Sequence, residues 1–206
     1  MLKRRFLFGL SSLAFAVAVF GCATSDGGGG NWVTLLDGSM PKTMDNWYES
    51  GESANWRIVD GAVQADKGGK GTSYLVSKES YKDFQVRAEF WADTTTNSGV
   101  FIRIRDPKNI NAKTGYEVNI NDLSPNAGFG TGGIPNVGKA DPNIKAGGKW
   151  NTYLITAKGS NLVIVLNGVQ TLNVNDSTLP NGPIALQFGG GTSGPIKWRK
   201  VEIRPL

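Results

Sequence analysis

Beyond residue 31 no stretch sustains a 3.6-residue apolar period for more than a few turns. The chain is instead a succession of short runs in which apolar and polar residues alternate, cut by Gly, Asn and Asp. A period of two sends successive side chains to opposite faces, so each run reads as a strand with one face in a core. Residues 100–105 and 116–121 are the clearest pair. Val100, Ile102 and Ile104 fall on one side, as do Tyr116, Val118 and Ile120, while Arg103, Arg105, Glu117 and Asn119 fall on the other. Residues 85–91 repeat the pattern, with Val86, Ala88 and Phe90 set against Arg87, Glu89 and Trp91. Asp60-Gly61 and Asn167-Gly168 are hairpin-turn signals between such runs, and residues 162–166 form an apolar run suited to a strand buried on both sides. Ten or more short strands with regular turn signals predict an all-β fold, a two-sheet antiparallel β-sandwich of the jelly-roll kind. The six tryptophans suit the core of such a sandwich as well as a binding surface.

The first residues read differently. Lys3, Arg4 and Arg5 precede an apolar segment, residues 6–20, and Gly21 stands before Cys22, the sole cysteine. This is the pattern of a bacterial secretory signal, and it resembles a lipoprotein signal in which Cys22 is lipidated. The expected organisation is a signal peptide at 1–21, a lipidated Cys22 with a Gly-rich tether to residue 31, and one domain over 32–206. The location this implies is the bacterial cell envelope, with a membrane reached through the lipid anchor. Ala23 is not the aspartate that favours inner-membrane retention, so the outer membrane is the expected site.

Three of the 22 basic side chains belong to that signal, leaving near balance against 17 acidic ones. Nothing points to nucleic acid, which needs a clustered basic surface. The absence of histidine excludes a Ser-His-Asp or Cys-His arrangement, a histidine base and histidine metal ligands. Residues 128–133 and 189–191 are Gly-rich but lack the phosphate-loop pattern, and residues 67–71 read as a solvated turn, so no cofactor is expected. Residues 93–97 carry the oxygen groups a structural calcium ion takes, which are also those that strand turns use. Residues 123–148 form a long Gly- and Pro-rich loop, a length more often functional or mobile than incidental.

The charged strand faces are the sharpest candidates for a site. Arg87, Glu89, Arg103, Arg105, Glu117, Asn119 and Gln187 all lie opposite apolar faces, with Trp91, Tyr116 and Trp198 nearby in the chain. Ion-pair ladders on a solvated sheet explain them. So does recognition of a sugar, which takes fans of hydrogen-bonding groups with aromatic rings.

The order of motifs then resembles a family. Leu35-Leu36-Asp37-Gly38, Trp47, Trp56 with Asp60-Gly61, Asp83-Phe84 and Asn97-Ser98-Gly99-Val100-Phe101-Ile102-Arg103 come first. Gly115-Tyr116-Glu117-Val118-Asn119-Ile120-Asn121-Asp122, Trp150-Asn151, Leu166-Asn167-Gly168, Leu186-Gln187 and Trp198-Arg199-Lys200-Val201-Glu202-Ile203 follow. In that sequence they are similar to the 3-keto-disaccharide hydrolase domain. The resemblance implies a concanavalin A-like jelly roll that acts on, or binds, glucosides carrying a ketone at C3. It places the family's arginine at Arg103, its glutamate at Glu117, its aspartate at Asp122 and its glutamine at Gln187. It implies Glu117 as general acid or base, Arg103 stabilising negative charge on the C3 oxygen, and Asn119 and Gln187 positioning hydroxyls. Asn119 stands where the family often has Gln, and Phe188 follows Gln187 near where it often has His. A non-catalytic carbohydrate-binding domain is the alternative, and an interaction domain for another envelope protein a third.

Overall fold

A computed structural model describes residues 30–66 and 71–206. The expected signal peptide, Cys22, all but the end of the tether and most of the 67–71 turn lie outside the described residues. Thirteen strands run through the described chain: β1 (Val33–Asp37), β2 (Trp47–Gly51), β3 (Arg57–Val59), β4 (Ala62–Ala65), β5 (Ser73–Tyr81), β6 (Phe84–Ala92) and β7 (Asn97–Ile102). Then come β8 (Tyr116–Asn121), β9 (Trp150–Lys158), β10 (Asn161–Leu166), β11 (Val169–Asn175), β12 (Gly182–Phe188) and β13 (Ile196–Pro205). They form two antiparallel sheets. The larger runs β11-β10-β9-β6-β13-β4-β3, with β1 also on β13, and the smaller runs β2-β5-β12-β7-β8. The expected two-sheet sandwich is therefore the observed fold.

Local sequence explains the hairpins and the layers. Asp60 (φ 50°) with Gly61 (φ 73°), and Asn167 (φ 52°) with Gly168 (φ 82°), both adopt the left-handed pair that a two-residue turn needs to match strand twist. Along β6 burial alternates residue by residue, putting Phe84, Val86, Ala88 and Phe90 inside. There they meet Tyr153 and Ile155 of β9, with Val100, Val118, Ile120 and Leu186 supplied by the small sheet. The Tyr153 hydroxyl crosses between the layers to donate to the Asn119 carbonyl at 2.7 Å.

Three local expectations change. β10 alternates between buried and half-buried, because its outer face looks toward solvent; the strands buried along their whole length are the short β4 and, at the centre of the small sheet, β12. The strand expected over 100–105 ends at Ile102, because Arg103 turns into the left-handed region (φ 52°). Ile104 consequently joins Tyr74, Val76, Phe101 and Ala185 in a second cluster, not the main core.

Residues 123–148 are also not loose. Asp122 fastens the loop at both ends: its carboxylate accepts from the Thr131 hydroxyl (2.6 Å) and from the Ala146 (2.9 Å) and Gly147 (2.7 Å) amides, and its carbonyl from the Lys145 ammonium. Gly132 and Gly133 bond the backbone of Asn119 at the open edge of β8, and Thr171 of β11 donates to the Gly132 carbonyl. Ile134 and Ala146 are buried in the core. The loop thus closes one side of the sandwich, with anchors too far apart in sequence to show any period.

Candidate functional site

Strand register on the outer face of the small sheet gathers the polar residues. Tyr74 of β5 pairs with Gln187 of β12; one further step of the same register brings Gln187 beside Gly99 of β7, and Gly99 pairs with Asn119 of β8. The adjacent row runs Tyr48, Val76, Ala185, Phe101 and Glu117. Gly99 is the gap that joins the two rows. A Cβ there would lie 3.0 Å from Glu117 Cγ and 3.3 Å from its Oε1, so the missing side chain is what lets the carboxylate lean across β7.

One flank of this patch is apolar and covered. Tyr74 meets Phe101 edge-on at 5.6 Å, and Ile110 packs on the cluster they form. Residues 105–115 are held over it by the Tyr74 hydroxyl on the Ile110 carbonyl (3.0 Å) and by Ser50 Oγ on the Pro107 carbonyl (3.2 Å). Glu117 therefore sits half-buried beside an apolar wall.

Burial has the expected effect on that carboxyl. It raises Glu117 from an ordinary 4.5 to about 7, while the neighbouring Gln187 side chain acts in the opposite direction. No Lys or Arg among the described residues pairs with it. Tyr74 is likewise raised, mainly by burial and in part by the Glu117 charge. Asn119 and Gln187 are buried, and their side-chain oxygens Oδ1 and Oε1 have no hydrogen-bond partner among the described residues. The Asn119 amide nitrogen, by contrast, is used, donating to the Phe129 carbonyl. Unpaired buried acceptors are uncommon and costly. Two of them lie beside the Glu117 carboxyl, buried with it under the outer face of the small sheet.

The raised pKa has a consequence for stability. The folded protein holds the Glu117 proton more tightly than the unfolded chain, so this group's contribution is complete below about pH 4.5 and lost as pH rises through about 7. Glu117→Gln should therefore unfold at higher urea than the parent at pH 8, by up to about 3 kcal/mol, with little gain at pH 4. An equal difference at both pH values would show that burial does not tune this carboxyl.

The other expected site residues lie elsewhere. Arg103, only 1% exposed, points away from Glu117, donating to the carbonyls of Lys82 (2.6 Å), Gly159 (2.7 Å) and Leu179 (3.4 Å) and to Asp83 (3.2 Å). The left-handed turn at Arg103 takes its side chain off the face that alternation gave it. Arg105 is exposed on the covering segment, its guanidinium 3.5 Å from the Lys113 carbonyl. Asp122 is engaged in fastening the long loop. Arg87, Glu89 and Trp91 belong to β6, and so to the outer face of the other sheet, across the whole sandwich from Glu117. Asp93 Oδ1 accepts from the Thr95 amide (2.9 Å) and hydroxyl (2.8 Å) within its own turn. The structure thus brings together Glu117, Asn119 and Gln187, and adds Tyr74 and Gly99. The signal for Tyr74 was present as a second apolar position facing away from Leu75; that for Gly99 was a glycine within an otherwise regular strand, which marks a close approach.

Comparison with known proteins bears on what this site handles. Residues 31–204 match the profile of the 3-keto-alpha-glucoside-1,2-lyase-like domain. The chain belongs to that family. The family expected from the motifs is thus the one found, and the 3-keto-alpha-glucoside-1,2-lyase-like domain spans both sheets and the site between residues 74 and 187. No curated protein matches the chain. Among solved structures, a protein of Parabacteroides distasonis provisionally described as a glycosyl hydrolase superposes with a TM-score of 0.69 at 22% identity, covering 85% of this chain and 100% of that one. The carbohydrate-binding module CBM66 of Bacillus subtilis gives 0.55 at 17% identity, covering 76% and 93%. A Bacillus subtilis protein of unknown function with a galectin-like fold gives 0.58 at 10%, covering 84% and 96%. These likenesses establish the jelly-roll fold of this lyase-like domain.

Proposed function

We propose that this domain cleaves 3-keto-glucosides at the outer face of the small sheet, with Glu117 as the proton-transferring group. The observation that carries the reading is a carboxyl raised to about 7 that no Lys or Arg among the described residues pairs with, next to two buried amide oxygens without a hydrogen-bond partner among those residues. A C3 ketone acidifies the C2 proton. Ionised Glu117 takes that proton, the electron pair enters the C2–C3 bond as an enolate, and its return expels the C1 substituent to leave a C1–C2 double bond. Water can then add at C1. A base poised near neutrality is well matched to such a step. The side chains of Gln187 and Asn119 flank Glu117 and would orient the sugar beside it, and the Gln187 amide is a neutral donor at the carboxylate. Release of aglycone from a 3-keto-α-glucoside by the purified protein tests this, and no release from a panel of aglycones would overturn it.

One observation favours a second reading. Arg103 is engaged elsewhere, no Lys or Arg among the described residues pairs with Glu117, and the fold is shared with a carbohydrate-binding module. A binder would show saturable calorimetric binding of the same sugars, weakened by Gln187→Ala, with no product formed.

We also infer that the domain is held to the bacterial envelope through Cys22, as the lipoprotein-like pattern of residues 3–22 supports. Cys22→Ser should move the protein from the membrane to the soluble fraction of cells; retention on the membrane would contradict the anchor.

A further inference from the structure

The six tryptophans divide into two sets. Trp47, Trp56 and Trp198 pack in or against the core, whereas Trp32, Trp91 and Trp150 stand on the outward face of the large sheet. Trp91 and Trp150 are direct cross-strand partners on β6 and β9, and Trp150 is 41% exposed. A β-bulge at Arg199 interrupts the pairing of β13 with β6. Bulges re-aim side chains, and here the Arg199 guanidinium reaches across β6 to lie 3.9 Å from the centre of the Trp150 ring. The Lys197 ammonium sits 5.3 Å from the centre of Trp91.

Charge on this face is unbalanced. Arg57, Arg87, Lys197, Arg199, Lys200 and Arg204 outnumber Asp37, Asp66, Glu89 and Glu202 on it. Glu202 is divided between Arg87 (2.7 Å) and Lys200 (2.9 Å), Glu89 is 3.8 Å from Arg199, and Lys197 makes no ion pair among the described residues. Alongside runs a depression of about 280 Å³ lined by Trp32, Arg87, Thr152, Leu154, Val165 and Arg204.

We propose that this face binds an acidic polysaccharide, with pyranose rings on Trp91 and Trp150 and carboxylates at Lys197 and Arg199. Two adjacent aromatic rings on a rigid sheet suit successive sugars of an extended chain, and the surplus of cations favours an anionic one. The flanking Glu89 and Thr152 supply hydrogen-bonding groups for sugar hydroxyls, which the apolar part of a lipid surface would leave unsatisfied. The site lies on the opposite side of the sandwich from Glu117 and does not depend on the reading of that residue.

Affinity electrophoresis of the whole protein through gels containing polygalacturonate tests the proposal, with neutral glucan gels and phosphatidylglycerol vesicles in parallel. Polygalacturonate should retard the protein and neutral glucan should not. Trp150→Ala and Arg199→Ala should each weaken binding about 10-fold, while Trp150→Phe, which keeps a ring, retains most of it. Salt at about 0.5 M should weaken it further, and retardation should persist in Glu117→Gln. Absence of retardation, retardation unaffected by both alanine variants, its loss in Glu117→Gln, or sedimentation with vesicles in its place would each overturn the proposal.

Discussion

Glu117→Gln should lower aglycone release from a 3-keto-α-glucoside by about 10²–10⁴-fold, the usual contribution of a positioned acid or base. The substitution is close to isosteric and keeps a polar group against Gly99, so the local packing survives. What it removes is the proton acceptor. The same variant is expected to be more stable than the parent above neutral pH, because the ionised carboxylate is the group that burial penalises. Lost turnover together with gained stability is the mark of a group held in an unfavourable environment for its chemistry. A residue kept only for structure would lose both.

Arg103→Ala should do the reverse, costing about 3–5 kcal/mol of stability without removing a group that touches sugar. The guanidinium joins three separate parts of the chain: Lys82 and Asp83 in the β5–β6 turn, Gly159 in the β9–β10 hairpin, and Leu179 ahead of β12. Asp83 also accepts from the Gly159 amide at 2.8 Å, so the turn and the hairpin are tied twice. Deleting the side chain strands the buried Leu179 carbonyl and removes the partner of the part-buried Lys82 and Gly159 carbonyls. Arg103→Lys should recover only part of the loss, since a single ammonium cannot serve as the five-donor fork. Urea unfolding measures the loss. Turnover reduced more than about 100-fold with stability changed by under about 1 kcal/mol would instead put Arg103 in the chemistry.

These two residues show where sequence reading succeeds and where it stops. Alternation placed Glu117 on an outward face correctly, because β8 is regular from Tyr116 to Asn121. The same rule misplaced Arg103 and Ile104, because one left-handed residue breaks the period and nothing in the local pattern announces it. Alternation also says that Arg87, Glu89 and Trp91 face outward without saying from which sheet. That assignment depends on β6 pairing with β9 and β13, far away in the chain. Hence a single charged face became two, on opposite sides of the molecule. The long loop escaped for a similar reason: its fastening by Asp122 joins residues 24 and 25 positions apart. Ordered motifs fared better than periodicity in identifying the family, since they carry long-range pairing implicitly.

The most direct test follows turnover of a 3-keto-α-glucoside against pH, with the parent protein and Glu117→Gln side by side. If Glu117 is the base, kcat/KM for the parent rises from pH 5 to a plateau with a midpoint near its raised pKa of about 7. Glu117→Gln then shows at most a small residual rate with no such rise. Turnover by Glu117→Gln at the parental rate, with the same pH dependence, would contradict the assignment of Glu117 as the base.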